Sequence, residues 1–114
     1  MKIKDVVETI SGEILCGNTH IDKEVEYGFS SDMMSDVLTL LEEDILLITG
    51  LANAQAVRTA VMSDIKNVII ARGKFVTKDI IDLANDSDIA IITSPFSIYK
   101  ISGLLYNKQL KSIY

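Results

Sequence analysis

The chain is poor in the residues from which covalent and metal-held frameworks are built. Cys16 is its only cysteine, so no internal disulfide forms and no thiolate cage can hold a metal. A buried, reduced thiol is the expectation for it. His20 is the only histidine, and no carboxylate cluster has a ligand-like spacing. No metal site is therefore expected, and His20 is expected as an exposed loop residue. A Cys16–His20 pair lacks a third group to orient it, and Ser30 and Ser31 have no other histidine to activate them. Both Gly-x-x-x-x-Gly-Lys-Ser/Thr and Gly-x-Gly-x-x-Gly are absent, which counts against nucleotide hydrolysis and dinucleotide redox chemistry. No enzyme activity and no cofactor are expected.

Basic residues are also scarce. Eleven Lys and Arg are scattered among 16 Asp and Glu, for a net charge of −5. A partner bound by phosphate neutralisation needs a basic stripe, so nucleic acid is not expected. No apolar run approaches membrane-spanning length, and the opening MKIKDVVETI is too short and too charged for a signal peptide. A soluble, cytoplasmic protein is the expectation.

What the chain does contain is three short apolar runs: ILLITG at 45–50, NVIIARG at 67–73 and IAIITS at 89–94. Each is rich in β-branched residues, ends on small or polar ones and leads into a helical pattern. Such runs read as strands buried on both faces, and their alternation with helices predicts a single α/β domain over 1–114 with a mixed, largely parallel sheet. The 114 residues suffice for one core.

Around these strands the local signals are weaker. Ile3, Val6, Val7 and Ile10 predict an opening amphipathic helix, and Glu13–Cys16 a short strand. Val25–Phe29, with Gly28 inside it, predicts a kinked edge strand. Ser30-Ser31-Asp32 offers caps for a helix over Met33–Leu41. Further helices are predicted near Ala54–Ser63, capped by Asn53, and after Thr77. A last one is predicted from Ser94 as cap, with Pro95 in its first turn. Asn107–Tyr114 is expected as a loop or short terminal element.

In parallel sheets ligands bind at the carboxyl ends of the strands. Thr49 and Gly50 close the first run, and the helix after Asn53 directs its free amides to the same edge. Arg72 and Gly73 end the neighbouring strand, and Arg58 lies about a turn and a half into the intervening helix. These six residues are the candidate ligand-binding set, for a phosphate, nucleotide or carboxylate. Ordinary turn chemistry with a surface arginine is the plainer account of the same residues.

The chain also resembles the DRTGG domain. The likeness is carried by SDVL at 35–38, LLITG at 46–50, VRTA at 57–60, the run 69–73, the run 80–84 and SPFSIYKISGLL at 94–105, and spans about residues 5–108. Two signature stretches depart from the family pattern: Gly50-Leu51-Ala52 stands for Gly-Asp-Arg, and Ala71-Arg72-Gly73 for Thr-Gly-Gly. The resemblance implies a mixed α/β fold similar to the N-terminal domains of HPr kinase and the Mur ligases. It further implies a regulatory module that dimerises and acts on a partner enzyme. Two functions stand side by side: a homodimeric sensor of a small anion such as a nucleotide, and a purely structural protein–protein interaction module using Phe96, Tyr99, Tyr106 and Tyr114.

Overall fold

Hydrophobic period decides this architecture. The computed structural model describes all 114 residues. The chain runs α1 (Ile3–Thr9), β1 (Glu13–Cys16), a 3-10 turn at Asn18–His20, β2 (Tyr27–Ser30), α2 (Met34–Val37) and β3 (Ile45–Thr49). It continues through α3 (Ala54–Met62), β4 (Asn67–Ile70), α4 (Lys78–Asp86), β5 (Ala90–Thr93), α5 (Ile98–Asn107) and β6 (Lys111–Ser112). The three apolar runs become β3, β4 and β5, side by side at the centre of one sheet of order β1-β5-β4-β3-β2-β6. Four neighbouring pairs are parallel and only β1–β5 is antiparallel.

Because side chains alternate across a strand, β3 feeds two cores. Ile45 and Leu47 face one side with Val68, Ile70 and Ile91, under Met34, Val37, Val57, Ala60, Ile80 and Ala84 of α2, α3 and α4. Leu46 and Ile48 face the other side with Ile69 and Ile92, under Ile3, Val6, Ile101 and Leu105 of α1 and α5. The result is three layers, α/β/α. The two-sided burial explains why these strands are continuous apolar runs and do not alternate with polar residues.

Three elements differ from the sequence expectation. The helix expected over Met33–Leu41 lasts one turn. Leu38 and Leu41 are exposed, so its apolar stripe gives out, and the Thr39 hydroxyl donates to the Asp36 carbonyl at 2.7 Å, tying off the turn locally. Strand β2 starts at Tyr27 and is not an edge. It lies between β3 and β6, in unbroken register from Tyr27–Ile45 to Ser30–Ile48, so there is no kink. Gly28 instead makes room for Leu110, whose Cδ2 would be 3.0 Å from a Cβ there. Finally, α5 is capped by Ser97, whose Oγ accepts from the Lys100 amide at 3.1 Å, three residues beyond the expected start. Ser94 is buried, and its hydroxyl donates to the Ile10 carbonyl at 2.7 Å and accepts from the Phe96 amide at 3.2 Å. Tertiary bonds thus hold Ser94–Phe96 as a turn against the pull of a local helix signal.

Candidate functional site

The helices α2, α3 and α4 cover one face and α5 the other, so the chain leaves β4 and β5 in opposite directions. Such a switch point is where open α/β sheets place their ligand crevice. Here the two loops close on each other: the Arg72 amide donates to the Phe96 carbonyl and the Gly73 amide to the Ser94 carbonyl, both at 2.8 Å. Both residues adopt left-handed backbone, with φ of 66° at Arg72 and 60° at Gly73. For an arginine that conformation costs about 1 kcal/mol. Their amides therefore point into the fold, while the Arg72 side chain is left at the exposed edge.

One strand over, the carboxyl end of β3 carries a denser polar arrangement. Asp32, in the loop between β2 and α2, reaches across so that its Oδ1 accepts from the Thr49 hydroxyl at 2.8 Å and the Gly50 amide at 2.6 Å. The Thr49 oxygen in turn accepts from the Leu51 amide at 3.2 Å. Lys74 donates its ammonium to the Gly50 carbonyl. The Gly50 amide, against some burial, holds the Asp32 carboxyl below the usual carboxylate range, with help from the Thr49 hydroxyl and the charges of Lys74 and Arg72. Gly50 eases this approach, since a Cβ there would lie a tight 3.3 Å from Asp32 Oδ2.

The six candidates are thus placed as follows. Thr49 and Gly50 are both buried and both bonded to Asp32. Asn53 caps α3 as expected, its Oδ1 accepting from the Ala56 amide at 3.0 Å. Arg58 is exposed on α3, and the cations acting on Asp32 are Lys74 and Arg72. Gly73 lines an open groove of about 530 Å³ with Ser11, Glu13, Lys74, Thr93 and Ser94. Leu51 and Ala52, at the signature departure, pack against the core beneath α2, α3 and α4.

Sequence reasoning missed Asp32 and Lys74. In sequence Asp32 reads as a cap candidate for α2, but that cap position is held by Met33 with no side-chain bond. The available signal was an acidic residue two positions beyond a strand that neighbours β3. A larger cavity, about 830 Å³, sits at the opposite end of the sheet and is lined by Asp5, Glu8, Glu24, Glu26 and Asp44 with Lys108 and Lys111. Its acidic balance does not suit an anion, which leaves the carboxyl edge as the candidate.

His20 is corrected outright. It is fully buried rather than exposed, with Nδ1 3.1 Å from Asn67 Oδ1 and Nε2 3.1 Å from Asp88 Oδ1. It pins the loop after β1 to the starts of β4 and β5. The Cys16 thiol is buried, as expected, and desolvation pushes it up from its ordinary value. No helix is long and apolar enough to cross a membrane.

Comparisons with known proteins agree with this fold. The family model described as DRTGG domain matches residues 5–107. No curated protein matches. Among solved structures, the CBS and DRTGG domains of the regulatory region of Clostridium perfringens pyrophosphatase, complexed with its activator diadenosine tetraphosphate, superpose with a TM-score of 0.72. The identity is 20%, over 91% of this chain and 45% of that one. The chain therefore spans less than half the length of that structure, and the likeness is one of fold.

Proposed function

This chain belongs to the DRTGG domain family, and from that premise we propose that it is a non-catalytic regulatory module whose carboxyl edge takes a small phosphorylated anion, such as a nucleotide. One observation carries the reading. Arg72 and Lys74 both draw down the Asp32 carboxyl at the ends of β3 and β4, and Lys74 is bonded there to the Gly50 carbonyl, so two cations gather at this edge, with Glu13 as the other acid of the adjoining groove. Thr49 and Gly50 supply a hydroxyl and an amide at the same point, and Arg58 adds a cation on α3. The Clostridium pyrophosphatase region, whose fold this chain shares, is complexed with a dinucleoside polyphosphate. That supports a nucleotide as the first ligand class to try. In this reading the module works in the cytoplasm as a homodimer and passes ligand occupancy to a partner enzyme.

The test is a thermal-shift series with adenine nucleotides, diadenosine tetraphosphate and inorganic pyrophosphate on the wild type and on Arg72→Ala. A ligand at a hundredfold excess over its dissociation constant stabilises by about 2.7 kcal/mol, which raises the melting temperature of a domain this size by about 10 °C. The expected result is such a rise in the wild type and its loss in Arg72→Ala. An equal rise in both removes the role given to Arg72.

A second reading has its own support. Tyr99, Tyr106 and Tyr114 are exposed, and the first two border an apolar recess of about 350 Å³ between β2, α5 and β6. Exposed aromatic groups around an apolar recess suit a protein partner. A flat ligand series together with a stable complex on a sizing column favours this interaction module.

A further inference from the structure

The edge assigned to an anion already contains one. Asp32 takes the Gly50 amide at 2.6 Å and the Thr49 hydroxyl at 2.8 Å, with Lys74 and Arg72 acting on it. These are the donors and charges that a phosphoryl oxygen needs. The approach is close: a Cβ at Gly50 would lie 3.3 Å and 3.5 Å from the two carboxylate oxygens, the first a tight contact. The loop that delivers Asp32 is short. Ser31 donates its amide to the Ile48 carbonyl at 3.0 Å and its hydroxyl accepts from the Met33 amide, while α2 beyond it is a single turn.

We propose that Asp32 is a resident occupant of the anion position, which a ligand must displace, so that Asp32 sets both the affinity and the charge selectivity of the site. This rests on the anion-edge reading above. The selectivity follows from charge. A ligand carboxylate exchanging with Asp32 brings one negative charge and two oxygens, and gains nothing over the resident group. A phosphate monoester or the end of a polyphosphate brings nearly two charges and three acceptor oxygens, and Lys74 and Arg72 favour it over the resident acid. The class selected is therefore phosphoryl ligands, with carboxylates rejected.

The test is calorimetric titration of inorganic pyrophosphate, with acetate alongside, into the wild type, Asp32→Asn and Asp32→Ser, each checked for folding by circular dichroism. Removing the resident charge is expected to tighten pyrophosphate binding about tenfold or more, since a charge-assisted hydrogen bond no longer has to be broken. Acetate is expected to bind the wild type far more weakly than pyrophosphate. Equal or weaker pyrophosphate binding by the folded variants, with clear binding by the wild type, overturns the resident-occupant role and leaves the anion edge standing. Absence of binding in every folded protein overturns the anion edge and this inference with it. A second measurement needs no variant: the carboxyl ¹³C titration of Asp32 in the wild type is expected to move up towards the ordinary carboxylate range when pyrophosphate is bound. An unmoved titration in the bound protein overturns the displacement.

Discussion

Replacing His20 by alanine puts the buried polar clamp to a quantitative test. The imidazole is wholly excluded from solvent, and Asn67, which faces its Nδ1, is only 5% exposed. Truncation leaves the Asn67 oxygen without its partner, which costs about 1–3 kcal/mol. It also empties the space of a planar ring inside a packed region, where loss of a large side chain adds about 2 kcal/mol or more. A total near 3 kcal/mol is expected. Unfolding entropy of about 2.1 cal/mol/K per residue over 114 residues comes to about 0.24 kcal/mol/K, so the melting temperature should fall by about 12 °C. Scanning calorimetry at neutral pH reads this directly. A double-mutant cycle with Asn67→Ala should return a coupling of about 1 kcal/mol or more, because each single change already orphans the other group. Asp88→Asn should cost less than His20→Ala, since Asp88 is exposed. A fall of under about 4 °C for His20→Ala, or additivity within about 0.3 kcal/mol, refutes the argument that this contact is a structural clamp.

Three other outcomes follow from the geometry. Asp32 and Asp88 are both held below the ordinary carboxylate value of 3.8, Asp32 mainly by the Gly50 amide and Asp88 mainly by its hydrogen bond to His20. A depressed acid contributes stability above its unfolded value and loses it as pH falls through the folded one. The gap in melting temperature between wild type and Asp32→Asn should therefore be open at pH 7 and narrow as the pH falls below 3.8, read by calorimetry across acidic pH. Gly17→Ala should lower stability by about 2 kcal/mol or more in urea titration, because φ is 81° and a Cβ would stand 2.5 Å from the Ala90 Cα. Cys16 should resist a thiol reagent at pH 7 in the folded protein and react promptly in denaturant, since burial both shields the sulfur and disfavours its thiolate.

What the sequence disclosed was whatever nearest neighbours along the chain determine. The runs that became β3, β4 and β5 are legible because two-sided burial demands unbroken apolar residues, and Asn53 because a cap needs only the amide three residues on. The misses at His20 and Asp32 share one cause, a partner remote in sequence. His20 meets groups 47 and 68 positions away, and Asp32 meets donors 17 and 18 away. Pro95 carried a sound local helix signal that the Ser94–Ile10 bond, 84 positions long, overrode. At the candidate edge the positions of Arg72 and Gly73 were legible, but the inward turn of their amides depends on the loop after β5. Strand β6 has two exposed residues and no pattern of its own, and exists because β2 offers it an edge.

The order of strands in the sheet also sets a timetable. From β2 to β5 each strand pairs with the next one along the chain, through a crossover of modest length. The two flanks are different: Glu13 of β1 finds Thr93, and Tyr27 of β2 finds Lys111 of β6, so each closure spans most of the polypeptide. Loops that long carry the larger entropic toll on the way to the folded state. In pulsed amide exchange during refolding, β3 and β4 should become protected first and β1 and β6 last. In the native protein the same two flanks should open most often, giving a sheet that assembles from its middle and frays from both sides.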